Sequence, residues 1–207
     1  RPDPDMRAVL AVHEAGHGLI YALLFRQAPL EIRINMATFS GGYNSFNALK
    51  VKTRGNLLDA VCVALAGRAA EEMVFGKDAL SSGSEFDLKL ATQQMAAFIR
   101  YAAFGERISH VDVSTEAGEN INTDVASTNV EIEAGLQTQY ERAQVLLAAN
   151  RAIYLRMVNE LVKAGQLEPQ QIRDWLGLSQ PEAPKEVLEP FEAKLREFER
   201  MRLANPC

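Results

Sequence analysis

His13, Glu14 and His17 in "AVLAVHEAGHGLIYALL" form an HExxH pattern: two histidines four apart, with a glutamate directly after the first. At about 100° per residue, their positions lie about 40° apart on one helix face, close enough for both imidazoles to reach one metal ion. Glu14 falls at the edge of that face, where its carboxylate can take a proton from a water on the metal. A bound metal lowers the pKa of such a water, so the trio suits hydrolysis of a peptide carbonyl. Two histidines do not complete the site, because catalytic zinc usually takes three protein ligands and keeps one position open. Ala15, Gly16 and Gly18 surround the pair with small residues that let other backbone approach.

The remaining histidine, His110, lies in an irregular stretch and reads as a solvated surface side chain. Glu72 and Asp87 are the two carboxylates weighed as third ligand. Many HExxH sites take a Glu from a following helix, which makes Glu72 a rival. "SEFD" also fits a helix cap, with Ser84 as cap and Asp87 in the first turn, where the helix dipole favours negative charge. Capping boxes prefer the longer Glu or Gln, however. A short Asp projecting from a Gly- and Ser-rich helix start is well placed to approach a metal, which favours Asp87 and leaves Glu72 open. Arg68, Glu71 and Glu72 read as support, since ligating histidines commonly donate their other N–H to a carboxylate.

The elements that must position these residues follow from pattern. "RPDPD" breaks structure, and a helix is predicted after it with Asp3 or Asp5 as cap. Val9, Leu10, Val12, Leu19, Ile20, Leu23 and Leu24 recur at helical spacing until Ala28-Pro29 stops the run. "LEIRINM" alternates apolar and polar residues, as in a strand with one buried face, and "SGGYNSFNALKV" offers a turn and a second strand. A mostly apolar helix is expected from Asn56 to Phe75, closed by Gly76, and another from Ser84 to Phe104, ended by Gly105. Residues 106 to 124 look irregular. Two helical stretches then follow, separated or merely kinked near Asn150, and end at Gly165, and Pro169 opens a short helix reaching Trp175. The expected fold is mainly α with a small β element near the N-terminus. Residues 1–178 form the domain, and 179–207 a Pro-rich linker and an amphipathic tail helix carrying Phe191, Leu195, Phe198 and Met201.

Composition narrows the classes. The chain has 207 residues, 47% of them hydrophobic and 24% charged, which suits a soluble globular domain with a real core. A net charge of -5 gives no basic footprint for nucleic acid. Cys62 and Cys207 are the sole cysteines, so neither a disulfide framework nor a cysteine-based zinc site is expected, and a reducing compartment fits. No uninterrupted apolar run approaches the ~20 residues that span a bilayer, and no signal peptide is seen. The first residue is Arg1 rather than Met, which leaves room for an upstream anchor.

"VHEAGHGLIYALL", "ALAGRAAEEMVFG" and "SSGSEFDLKLATQQM", in this order and spacing, resemble the protease domain of the FtsH-type family of ATP-dependent zinc metallopeptidases. "YERAQVLLAANRAIYLRMVNELVKAGQLEPQQI" is similar to that family's C-terminal helical region, so the resemblance covers roughly residues 7 to 176. It implies a zinc endopeptidase acting on unfolded polypeptide, with His13, His17 and Asp87 on Zn2+ and Glu14 as catalytic base. It further implies a hexameric homo-oligomer, an ATPase motor upstream or in a partner, and a cytoplasmic place, as a free protein or as the cytosolic part of a membrane-anchored one. An edge strand at residues 41 to 47 would bind extended substrate, though an ordinary hairpin strand explains the same residues. The chain departs from the pattern in lacking any G-x-x-x-x-G-K-[ST] phosphate loop, in "FSGGYNSFNALKV", in "ERISHVDVSTEAGENINTD", and after residue 178. Two other functions compete: a non-catalytic helical interaction module stabilised by zinc, and a zinc hydrolase of a non-peptide substrate. Glu14 speaks against the first, because a structural site needs no general base.

Overall fold

The computed structural model describes residues 3–34, 42–46, 51–111, 113, 125–178 and 190–204. Several residues of the expected strands (Asn35, Met36 and 47–50), most of 112–124, the linker prolines 181 and 184, and Cys207 lie outside them.

Helix α1 (Pro4–Phe25) starts as the sequence predicts: the Asp3 side chain accepts from the Asp5 N–H at 2.9 Å, and Pro4 takes the first turn, where its missing N–H costs nothing. Arg26, in the left-handed region at φ 56°, ends it just before Pro29. Every residue from Ala11 to Ala22 is buried. By length and composition α1 could cross a membrane, but 67% of its apolar window is buried inside the fold, which makes it a core helix.

Strand β1 (Glu31–Ile34) buries Ile32 and Ile34 and exposes Arg33, the predicted alternation. Strand β2 (Gly42–Ser45) pairs with it antiparallel, with Ile32 opposite Asn44. Strand β3 (Gln166–Leu167), which no periodicity announces, covers the other edge, so the sheet order is β2-β1-β3. Gly165 at φ 80° ends the preceding helix and gives its carbonyl to the Ile34 N–H at 2.8 Å, which turns the chain onto β1.

Helix α2 (Arg54–Phe75) is capped by the Thr53 hydroxyl and closed at Gly76. It is the centre of the molecule. One side packs on α1 in a core that includes Leu19, Ile20, Ile32, Leu147, Tyr154 and Leu161. The other side builds a second core of Val61, Leu65, Met95, Phe98 and Ile132 with α3 (Glu85–Ala96) and α4 (Val125–Ala149). The long helix expected from Ser84 to Phe104 is shorter. After Ala96 the coil widens to a π-type turn at Ala97–Tyr101, where the Ala102 N–H reaches the Ala97 carbonyl at 2.9 Å. Arg54 holds the Phe104 carbonyl at 2.9 Å and stacks over the Phe98 ring, so tertiary bonds decide where this segment leaves the helix.

The break at Asn150 is real: its side chain donates to the Leu146 carbonyl at 2.8 Å, and α5 (Arg151–Ala164) starts afresh. From α5 the buried Tyr154 hydroxyl reaches the Val12 carbonyl at 3.0 Å, beside the HExxH pattern. At the other end of α1, the Arg7 guanidinium donates to the Val162 and Lys163 carbonyls that finish α5. Helix α6 (Pro169–Leu176) begins with a capping box of Glu168 and Gln171. Helix α7 (Pro190–Ala204) is exposed at every residue from 191 to 201.

Candidate metal centre

α1 presents His13 and His17 to α2, and both rings are held from behind. The His17 Nδ1 lies 2.7 Å from the Val63 carbonyl. A carbonyl can only accept, so this nitrogen carries the proton and Nε2 is left with a free electron pair. The His13 Nδ1 lies 2.7 Å from Glu71 Oε1, and the same logic points its Nε2 forward. Such contacts on the far ring nitrogen fix tautomer and ring orientation.

The third group arrives from α3. After α2 the chain turns through two short 3-10 turns, Lys77–Ala79 and Ser82–Ser84, so that Asp87 in the first turn of α3 faces the histidines. Asp87 Oδ2 sits 2.9 Å from His13 Nε2 and 3.1 Å from His17 Nε2, and the two Nε2 atoms are 3.0 Å apart. Three donors at about 2.0–2.1 Å from one ion in tetrahedral directions would be about 3.3 Å apart, within a few tenths of this triangle. Three such atoms approach this closely only where a proton or a metal cation lies between them. Two imidazoles and one carboxylate are the donor set that suits zinc.

Electrostatics point the same way. Burial disfavours the His13 imidazolium, but the Asp87 and Glu71 carboxylates and the charge of Glu14 outweigh it and push its pKa up to about 10. Burial would raise the Asp87 carboxyl, yet His13 and His17 hold it well below the usual carboxylate range. The Glu71 carboxyl is also lowered: burial opposes this, but His13 and the Ser81 N–H prevail. Asp87, Glu71 and Glu14 together favour a positive charge at His13.

Glu14 is buried on α1 directly after His13. Ser84 precedes α3 at the cap position, but its hydroxyl makes no capping bond. Asp87 turns to the imidazoles and not to the helix start. Glu72, the rival ligand, accepts from the Tyr140 hydroxyl of α4 and is not among the three converging groups. Of the residues read as support, Glu71 faces the site: it is 1% exposed and takes both His13 and, through Oε2, the Ser81 N–H at 2.9 Å. Arg68 and Glu72 both act on Tyr140. His110 is exposed and stacks on Tyr101, as expected of a surface histidine.

Other contributors carry weaker sequence signals. The Val63 carbonyl and Ser81 N–H are backbone groups, which residue type does not reveal. Gly67 interrupts an alanine-rich helix, and an isolated glycine there signals a packing or functional reason.

The model of peptidase family M41 matches residues 2–175. The chain belongs to peptidase family M41. Relatives of this M41 chain include an ATP-dependent zinc metalloprotease FtsH of Chloroflexus aggregans, 30% identical over 192 residues that cover 84% of this chain and 29% of the relative. The ATP-dependent zinc metalloprotease YME1L of Drosophila melanogaster is 27% identical over 190 residues, covering 86% of this chain and 25% of the relative. An FtsH 3 of Symbiobacterium thermophilum is 29% identical over 203 residues, covering 89% and 32%. The M41 chain thus spans about a third or less of the length of the relatives it matches.

Proposed function

We infer that this chain is a zinc-dependent endopeptidase domain cutting unfolded polypeptide, with His13, His17 and Asp87 holding the ion and Glu14 as general base. The observation that carries this reading is the convergence of His13 Nε2, His17 Nε2 and Asp87 Oδ2 within 2.9–3.1 Å of one another beside a buried Glu14. Zinc held by His13, His17 and Asp87 would supply Lewis acidity and would lower the pKa of a water beside it. Glu14 would take a proton from the attacking water as its oxygen bonds to the carbonyl carbon, and would give that proton to the amine nitrogen as the C–N bond breaks, which returns Glu14 to its carboxylate form. Glu71 and the Val63 carbonyl hold the imidazoles in the tautomer that ligation requires.

Among the described residues β2 ends the sheet, with β1 on one side, which supports pairing of an extended polypeptide along its other edge, by β-addition around residues 41 to 47. Unfolded chain is the substrate class because extended backbone is what a strand edge recognises. Residues 1–178 form the peptidase domain and 179–207 the linker and tail helix. The working assembly is a hexameric ring supplied with unfolded chain by an ATPase motor, in the cytoplasm or on the cytosolic side of a membrane. The test is hydrolysis of a fluorogenic unstructured peptide by zinc-loaded protein. Cleavage that a chelator stops and zinc restores is the expected result. Cleavage indifferent to the chelator, or none under any metal condition, overturns the reading.

A further inference from the structure

We propose that Gly67 is a positioning residue for the metal centre: its lack of a side chain leaves the room in which His13 and His17 turn their Nε2 atoms toward Asp87. A Cβ placed on Gly67 would lie 2.6 Å from His13 Cε1, from His13 Nε2 and from His17 Nε2. Carbon atoms in ordinary contact sit at about 3.5–4.0 Å, so both rings would have to withdraw by about 1 Å. They have nowhere to go. His13 is held from behind by Glu71 at 2.7 Å and His17 by the Val63 carbonyl at 2.7 Å, and both rings are buried. Ligand atoms must stand within about 0.2 Å of their bonding distance, so a shift of that size is incompatible with shared ligation.

The role differs from that of the other glycine at this helix crossing. A Cβ on Gly16 would meet the Ala66 carbonyl oxygen and the Ala70 Cβ, each at 2.7 Å, so Gly16 serves the approach of α1 to α2. Gly67 instead abuts the two imidazoles. Glycine is the poorest helix former after proline, and Gly67 sits between Ala66 and Arg68 in the interior of α2. Alanine there would favour the helix, so the glycine is explained by what stands over it.

The proposal rests on the zinc reading, and its test separates the two. Parent and Gly67→Ala proteins are compared for zinc affinity and for the d–d absorption of the cobalt-substituted site. Metal-free melting temperatures are then measured for the same substitution made in the parent and in a His13→Asn/His17→Asn background. Asparagine keeps a donor near each Nδ1, for Glu71 and Val63, while removing the ring edges that face Gly67. The expected result is zinc bound at least ~10-fold more weakly by Gly67→Ala and an altered cobalt spectrum. In the asparagine background, the same substitution raises the melting temperature by about 2–4 °C, the return of helix propensity without the clash. Parental zinc affinity and cobalt spectrum in Gly67→Ala, or an equal loss of stability in both backgrounds, overturns the proposal. A parent that binds no zinc defeats the metal reading, and the melting comparison still decides on Gly67.

Discussion

Replacing Glu71 by Gln removes one carboxylate oxygen and leaves the shape nearly unchanged. Glu71 is 1% exposed, and its two oxygens serve two donors, His13 Nδ1 at 2.7 Å and the Ser81 N–H at 2.9 Å. A glutamine keeps one acceptor oxygen. Its amide NH2 must then face the other donor, so one of the two bonds is lost whichever way the amide turns. Hydrogen bonds to charged groups contribute about 1.5–3 kcal/mol, and the lost bond also leaves a buried donor unmatched. Either loss would disturb a metal held by His13 and Asp87. Without the first bond the His13 ring is free to turn, and without the second the turn that delivers Asp87 is loosened. At about 1.4 kcal/mol per tenfold, zinc should bind about 10–100-fold more weakly, the range found when partners of ligating histidines are removed. Competition with a chromophoric chelator measures this, with Glu72→Gln as control, because an amide oxygen can still accept from Tyr140. Parental zinc affinity in Glu71→Gln, or an equal loss in Glu72→Gln, would contradict this role for Glu71.

Two further outcomes follow. Asp87→Asn should weaken zinc retention by at least ~10-fold, since a charged ligand becomes a neutral one, while Glu72→Gln costs clearly less; metal analysis showing Glu72→Gln empty and Asp87→Asn full would reverse the assignment. The Cys62 thiol, 0% exposed and pushed up to about 12 by burial, should resist iodoacetamide at pH 8 in a Cys207→Ser variant until the protein is unfolded; rapid labelling of the folded protein would contradict that burial.

Local signals carried much of the fold. Asp3-Pro4 and the spacing of apolar residues set out α1, the alternation around Ile32 and Ile34 set out β1, and Thr53 and Gly76 bound α2 within two residues of expectation. What escaped depends on contacts between distant segments. β3 is two residues long and exists because Gly165 turns the chain onto β1. The π-type turn at Ala97–Tyr101 is shaped by Arg54, some 50 positions away in the chain. Similarly at the site, the HExxH spacing places two imidazoles on one face, but spacing cannot rank Glu72 against Asp87. That depends on how the turns at 77–84 fold back, and Glu71 anchors Ser81 there. Adjacent glutamates on α2 point to different partners, Glu71 to His13 and Glu72 to Tyr140, a distinction set by which side of α2 meets α1.

As a general base, Glu14 would act beside a metal that it does not hold, and zinc content measured together with peptide hydrolysis in Glu14→Gln tests this directly. Full zinc occupancy with hydrolysis reduced by ~10²-fold or more, the usual contribution of a general base, is the expected result. A variant that keeps its zinc and cleaves the peptide at the parental rate would contradict it.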